Sequence, residues 1–467
     1  MNQHQLFVST LLCAALTGCE LIPTLKLNLV AADSPTLAQT RIQSPIPTSA
    51  PVPIPTPAPP DVVAQALDRG DVAEAVLQIE RRWKKQFEDY FQGKFAKPVL
   101  SAPEIARSLD QINHRTGRKS ALLYAIPGKN HLDLMLVTAT GKLIHRRIDA
   151  ANQAALSQTM QAFRMGIVRE DSDADDYLKP GQQLYQWIIA PLESQLRAEG
   201  INQLIFCLGS GLRSVPMAAL HDGKQFLIEK YNLSLIPAYN LLDQQARTSP
   251  NTQILAMGAS TFKDQSPLPG VPIEISTITR SPWQGTSLLN QAFTLENLKA
   301  QRAQFPYGIV HLATHAEFAS GDVSQSYIQF WNQRLRLNQL RSLGLQDPPV
   351  QLLVLSACRT ALGDKTAEMG FAGLAVQSGS KAAIASLWSV SDASTLVLMQ
   401  EFYRDLKMAP VKADALRSAQ IEMIRHSDRI QTQRRDRRLT AKRSALANQN
   451  LAHPYHWAAF TLIGNPW

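Results

Sequence analysis

The sequence is short of cysteine, of charge and of long apolar runs, and each shortage removes a class of protein. Four cysteines in 467 residues (Cys13, Cys19, Cys207 and Cys358) are too few for a disulfide framework. Two of them lie near the N-terminus, so the body of the chain holds only Cys207 and Cys358. Charged residues are 18% of the chain, below the usual proportion of about a quarter. That composition suits a large core with buried strands and argues against a disordered chain. Basic residues outnumber acidic ones by 47 to 38, for a net charge of +9. The excess is mild, and nucleic acid is not an expected partner. The apolar stretch Leu6 to Leu16 is too short to span a bilayer. No repeat of about 34 residues follows the first helical pattern, which excludes a tetratricopeptide array. GSGLRSVP (Gly209 to Pro216) has no Gly-Lys-Ser/Thr after it, so it is not a phosphate loop. No cofactor or metal is expected.

What is present divides the chain into four parts. Residues 1–19 end in Leu16-Thr17-Gly18-Cys19, which resembles a bacterial lipoprotein signal with Cys19 as the acylated residue. Met1 to Gln5 lacks the Lys or Arg usual in such a signal. The expectation is a membrane-anchored lipoprotein of the cell envelope, facing the periplasm or the exterior. Secreted and cytoplasmic locations are the alternatives. Residues 20–60 form a linker whose proline-rich end, Ser44 to Pro60, favours stiff polyproline II and suits a spacer. Residues 61–175 begin with a helical hairpin, Asp61 to Gln92, turning at Arg69-Gly70-Asp71. A β-hairpin follows, Ala121 to Ile126 with Leu132 to Val137, and Lys142 to Ile148 adds a third strand. Residues 176–467 start with a helix over Gln182 to Glu199. From Gln253 onward, strands and helices alternate. The fold class is therefore α/β, with a mostly parallel sheet covered by helices on both faces. Arg425 to Arg443 is strongly basic but carries no interleaved aromatics. It reads as a solvated excursion, with a contact to anionic lipid or nucleic acid as the alternative.

Two phrases within 253–467 carry the chemistry. HLATH (His311 to His315) and LVLSACRTA (Leu353 to Ala361) are apolar runs that read as buried strands, each ending in a polar, reactive residue. Chemistry in parallel α/β sheets collects beyond the carboxyl ends of the strands. His315 and Cys358 placed there on neighbouring strands form a thiol–imidazole pair. Taken alone, a cysteine after a strand is a packing residue. His311, inside its strand, reads as a satisfied core group, and Cys207 as strand packing.

Beyond these phrases, the stretch from about Leu184 to Trp467 resembles a CHAT domain, a caspase-like module related to caspases and separases. The likeness is carried by LYQWIIAPLESQL (Leu184 to Leu196), LRSVPMAALHDG (Leu212 to Gly223) and PLPGVPIEISTI (Pro267 to Ile278). It continues through YGIVHLATHAEF (Tyr307 to Phe318), LVLSACRTALGD (Leu353 to Asp364), AAIASLWSVSDAST (Ala382 to Thr395) and HPYHWAAFTLIGNPW (His453 to Trp467). The resemblance implies a cysteine endopeptidase with His315 and Cys358 as its dyad and a protein or peptide as substrate. It implies an oxyanion hole from the backbone N–H groups of Ala316 and Cys358. Many relatives have glycine where this chain has Ala316. Trp388 and Asp392 fall where a substrate pocket is expected, Asp392 as a partner for a basic residue. Asp364 and Glu368 are rival acids, each explained equally well by solvent exposure. A regulatory protein partner is a further expectation. The alternative function is a catalytically silent or autoinhibited scaffold.

Overall fold

The hydrophobic alternation of the chain resolves into one long sheet. The computed structural model describes residues 61–243, 253–361, 363–426 and 450–467, and for Ala357 and Cys358 the backbone alone. The signal at 1–19 with Cys19, the linker at 20–60 and most of the basic stretch 425–443 lie outside the described residues.

Thirteen strands share the sheet. The first half supplies β1 (Ser120–Pro127), β2 (Leu132–Thr138), β3 (Leu143–Ile148), β4 (Gln203–Leu208) and β5 (Asn232–Ile236). The second supplies β6 (Ile254–Gly258), β7 (Gly285–Leu289), β8 (Ile309–Phe318), β9 (Tyr327–Gln329), β10 (Arg334–Arg336), β11 (Leu352–Thr360) and β12 (Ala382–Ser386). The last strand, β13 (Phe460–Gly464), joins the halves. The order is β10-β9-β8-β11-β12-β13-β5-β4-β1-β2-β3. β13 runs antiparallel to β12 and parallel to β5. Along the outer edge of β8, β6 pairs with its first part and β9 with its last, so the two lie end to end. The central strands β4, β8, β11 and β12 are apolar through most of their length, as strands covered on both faces must be.

Most predicted elements are found, and the differences have local causes. The expected helix Gln182 to Glu199 is broken. It begins earlier, as Ala174–Ile188, passes through a 3-10 turn at Ala190–Leu192 and resumes at Glu193–Ala198. Pro191 has no N–H to continue the ladder. The helix expected over Gly370 to Gln377 is two short helices, Lys365–Ala372 and Leu374–Ser378. They meet at Gly373, where a Cβ would come within 2.5 Å of the Phe91 ring. β1 to β3 join the same sheet as β4, and the described residues from Asp61 to Trp467 pack as one unit. The larger difference concerns the two reactive phrases. Neither strand stops at its His or Cys: β8 runs on to Phe318 and β11 to Thr360.

The helical hairpin forms as Val62–Asp68 and Val72–Phe91, with Asp61 and Asp71 as N-caps. It is pinned to the sheet by Glu80, which is fully buried. Its carboxylate accepts from Tyr124 Oη (2.7 Å), Tyr239 N (2.9 Å), Asn240 N (3.0 Å) and Asn240 Nδ2 (2.6 Å). Burial pushes the Glu80 carboxyl up, and these hydrogen bonds pull against that shift. Glu80→Ala leaves several buried donors unpaired and is expected to lower stability by about 3 kcal/mol. The urea unfolding midpoint of the two proteins measures this.

Candidate functional site

The site is built on the seam between β8 and β11. Leu352 to Leu355 pair with Ile309 to Leu312 residue for residue. The register then shifts, and Ala357 pairs with His315, Cys358 with Ala316 and Arg359 with Glu317. β8 spends three steps from Leu312 to His315 while β11 spends two from Leu355 to Ala357, a bulge of one residue. Bulges of this kind re-aim side chains at a sheet's working end. His315 and Cys358 are therefore diagonal neighbours on adjacent strands, which lie about 4.8 Å apart. Past the cysteine, Thr360 N donates to Leu387 O (3.2 Å) and Ala361 N to Phe318 O (2.8 Å), fixing the backbone against both neighbouring strand ends.

His315 is half-buried, and its ring is held on two sides. Its Nε2 lies 2.8 Å from the carbonyl oxygen of Ser266. A carbonyl only accepts, so Nε2 carries the proton and Nδ1 keeps its lone pair. The Phe262 ring meets the imidazole edge-on at a centroid distance of 4.7 Å. Both contacts come from the loop between β6 and the helix Val271–Ile278. Sequence reasoning missed Ser266 and Phe262. A backbone carbonyl leaves no residue-type signal, and an isolated loop phenylalanine leaves little.

Beside Phe262 opens a cleft of about 770 Å³. The loop Thr261 to Gln265 lines one side, and Gln329 with Trp331 to Arg334 of the β9–β10 turn lines the other. Trp331 is among the few large exposed apolar side chains here, at 37%. Lys263, Asp264 and Arg334 add charge of both signs.

The remaining predicted residues take definite places. Ala316 is buried, with ordinary extended backbone rather than the positive φ that would demand glycine. It pairs with Cys358 on one side and Ile328 on the other. Trp388 is 4% exposed, and its Nε1 donates to Tyr455 O at 3.0 Å. It is a packing residue, not an open pocket wall. Asp392, half-buried, accepts from Gly270 N at the start of the helix Val271–Ile278. A Cβ at Gly270 would meet that carboxylate at 2.5 Å. Asp392 thus anchors the loop that holds His315 instead of standing free for a basic residue. Asp364 caps the helix Lys365–Ala372, and its hydrogen bond from Thr366 leads the causes that lower its carboxyl pKa. Glu368 is fully buried, which overturns solvent exposure as its explanation. His311 is buried with Nδ1 3.0 Å from Tyr403 Oη. Its Nε2 lies 3.0 Å from Glu274 Oε1 but off the hydrogen-bonding direction. Cys207 is buried, and burial pushes its thiol pKa well above the ordinary value.

With the geometry set out, comparison places the chain among known proteins. The CHAT domain profile matches residues 178–465, more than half of the sequence. The chain belongs to the CHAT domain family. No curated protein matches its sequence. Among solved structures, the separase of a Saccharomyces cerevisiae separase–securin complex is similar over 86% of this chain, with 9% identity and a TM-score of 0.44. The CHAT chain spans 34% of that separase. The complex of Porphyromonas gingivalis RgpB pro- and mature domains is similar over 74% of this chain and 78% of its own, with 10% identity and a TM-score of 0.35. The Arg-specific cysteine proteinase gingipain R is similar over 67% of this chain and 75% of its own, with 10% identity and a TM-score of 0.35.

The C-terminal HPYHW of the CHAT domain explains how the loop after β12 is held. His453 Nδ1 accepts from Tyr455 N (3.1 Å), so its Nε2 is the donor to Ser172 Oγ (3.0 Å). His456 Nδ1 lies 2.8 Å from Ser394 Oγ. Tyr455 Oη donates to Ser389 O (3.0 Å). Burial lowers the pKa of both histidines to about 4. They are neutral when folded and titrate near 6.5 when unfolded. The unfolded chain therefore binds more protons between these values. Their contribution is full above pH 6.5 and is lost as pH falls toward about 4. Urea midpoints measured across this window are expected to drop with pH, and His456→Gln is expected to flatten the dependence.

Proposed function

We propose that this CHAT protein is a caspase-like cysteine endopeptidase acting on a protein substrate through a His315/Cys358 dyad. The observation that carries the reading is the pairing of the last residues of β8 and β11, Ala357 with His315 and Cys358 with Ala316, which makes His315 and Cys358 near neighbours across the seam. The Ser266 carbonyl supports it by leaving Nδ1 of His315 as the basic nitrogen. In the proposed reaction, the Cys358 sulfur bonds to the scissile carbonyl carbon and its proton passes to His315 Nδ1. The backbone N–H groups of Ala316 and Cys358 are assigned to the resulting oxyanion. The C–N bond then breaks as His315 protonates the leaving amine. Water, losing a proton to His315, hydrolyses the thioester and restores the thiol. The cleft beside Phe262 is assigned to the polypeptide flanking the scissile bond.

Cys358→Ala is expected to abolish cleavage in a peptide-library assay. His315→Ala is expected to reduce it by about 10²- to 10⁴-fold. Circular dichroism should show both variants folded. Full activity in both would remove the dyad, and wild-type protein that cleaves no peptide would favour a scaffold. We also propose that Cys19 is acylated and tethers the domain to the cell-envelope membrane through the proline-rich spacer. Radiolabelled palmitate should enter the wild type and not Cys19→Ala. Equal labelling of the two would exclude this anchor.

A further inference from the structure

The first half of the CHAT domain carries no His/Cys pair, yet it reaches directly into the segment that follows Cys358. The contact is made by GSGLRSVP, the loop after β4 that resembles a phosphate loop and is not one. Glu368, in the helix Lys365–Ala372, is ten residues beyond the cysteine and fully buried. Its carboxylate accepts from Gly211 N (2.7 Å) and Ser214 Oγ (2.5 Å). Ser214 Oγ also accepts from Arg164 Nη1 (2.9 Å) and from Gly363 N (3.4 Å). A hydroxyl has one proton to give and two lone pairs to fill. Here all three are used, and each partner comes from a different element.

The charges around this node are complementary. Arg213 is buried, donates through Nε to Leu208 O (2.9 Å), and lies over the Trp83 and Phe87 rings at 5.7 and 5.2 Å. Burial lowers the guanidinium pKa values of Arg213 and Arg164, and the Glu368 charge opposes the shift in both. Glu368 thus lies within electrostatic reach of two guanidinium groups, and Arg164 is joined to it through the Ser214 hydroxyl. Gly363 sits close under Arg164: its φ is +83° and a Cβ would come within 3.1 Å of Nη1. The turn between Cys358 and its following helix is therefore held from below by the first half. It is held at its start by the Phe318 and Leu387 carbonyls.

We infer that Ser214, Glu368 and Arg164 are positioning residues that set the Cys358 turn against His315, making the first half a brace for the nucleophile. The inference rests on the dyad reading above. Its test follows alkylation of Cys358 by iodoacetamide in the full-length protein across pH 5 to 10. The thiolate displaces iodide, and peptide mass mapping reads Cys358 separately from Cys207. In the wild type, the Cys358 profile should show a thiol titrating below the ordinary value of about 8.5. His315→Ala should move it up, and failure to do so sinks the dyad.

Ser214→Ala, Glu368→Gln and Arg164→Gln should also move the profile up and slow reaction at pH 7 by about tenfold. Cys207 should stay protected in each. Ser214→Thr keeps the hydroxyl and should restore the profile toward wild type. Arg164 is only part-buried, so its variant should fold even where the other two do not. The brace is overturned if Arg164→Gln and every folded variant keep the wild-type profile while His315→Ala shifts it.

Discussion

The pairing of β8 with β11 is the constraint on which the site depends. Continued without a break, the offset that sets Ile309 opposite Leu352 would place His315 directly opposite Cys358. The one-residue bulge between Leu312 and His315 resets that offset at the end of the seam. It brings Ala316 opposite Cys358 and His315 diagonal to it. A slip of one residue would turn each side chain to the other face of the sheet. Register is therefore the first requirement for any chemistry here. The buried apolar residues before the bulge, Ile309 to Ala313 against Leu352 to Leu355, fix it. The hydrophobic part of each strand sets the geometry of the polar residue that follows it.

Around this seam, buried polar groups act as fasteners between distant parts of the chain. Glu80 ties the helical hairpin to β1 and to the turn after β5. Ser214 and Glu368 tie the loop after β4 to the turn after β11. Asp392 ties the helix after β12 to the loop carrying Ser266 and Phe262. His453 ties the C-terminal segment to Ser172 of the first half, and His456 ties it to Ser394 in the helix after β12. Glu80 and Ser214 each have several partners from separate elements, which is the condition under which a buried polar group confers uniqueness instead of a penalty. β13 adds a backbone fastener, since it alone pairs with both halves of the sheet.

The strand and helix pattern was legible because it rests on local hydrophobic period and on turn residues such as Gly70, caught between the Asp61 and Asp71 caps. The adjacency of His315 and Cys358 was also legible, as two apolar runs of the same sheet. What escaped were facts of tertiary contact. The carbonyl of Ser266 belongs to the backbone and could come from any residue. The resemblance puts Trp388 and Asp392 at a substrate pocket, but Tyr455 and Gly270 are their hydrogen-bond partners. For Glu368, a rival acid after the nucleophile, solvent exposure is an equally good explanation in the sequence, because a carboxylate is seldom buried. Its partners, Gly211 and Ser214, stand more than 150 residues earlier in the chain. The strand ends were placed too early because polar residues in β8 and β11 look like loop, while the ladder carries them three residues further for β8 and two for β11.

Ala316 shows why the departure from glycine is tolerated. Glycine is needed where φ is positive or where a Cβ would collide. Ala316 has neither constraint in the strand: its backbone is extended and its methyl is buried among the sheet's apolar residues. The part proposed for it requires only its N–H, which every residue but proline possesses. Gly270 and Gly363 are different. A side chain at the first would displace the Asp392 carboxylate, and one at the second would press on Arg164 in a left-handed turn. The glycines that matter to this site are thus not beside the histidine but at the two loops that hold the histidine and the cysteine. Geometry at the seam is set by what anchors those loops from outside it.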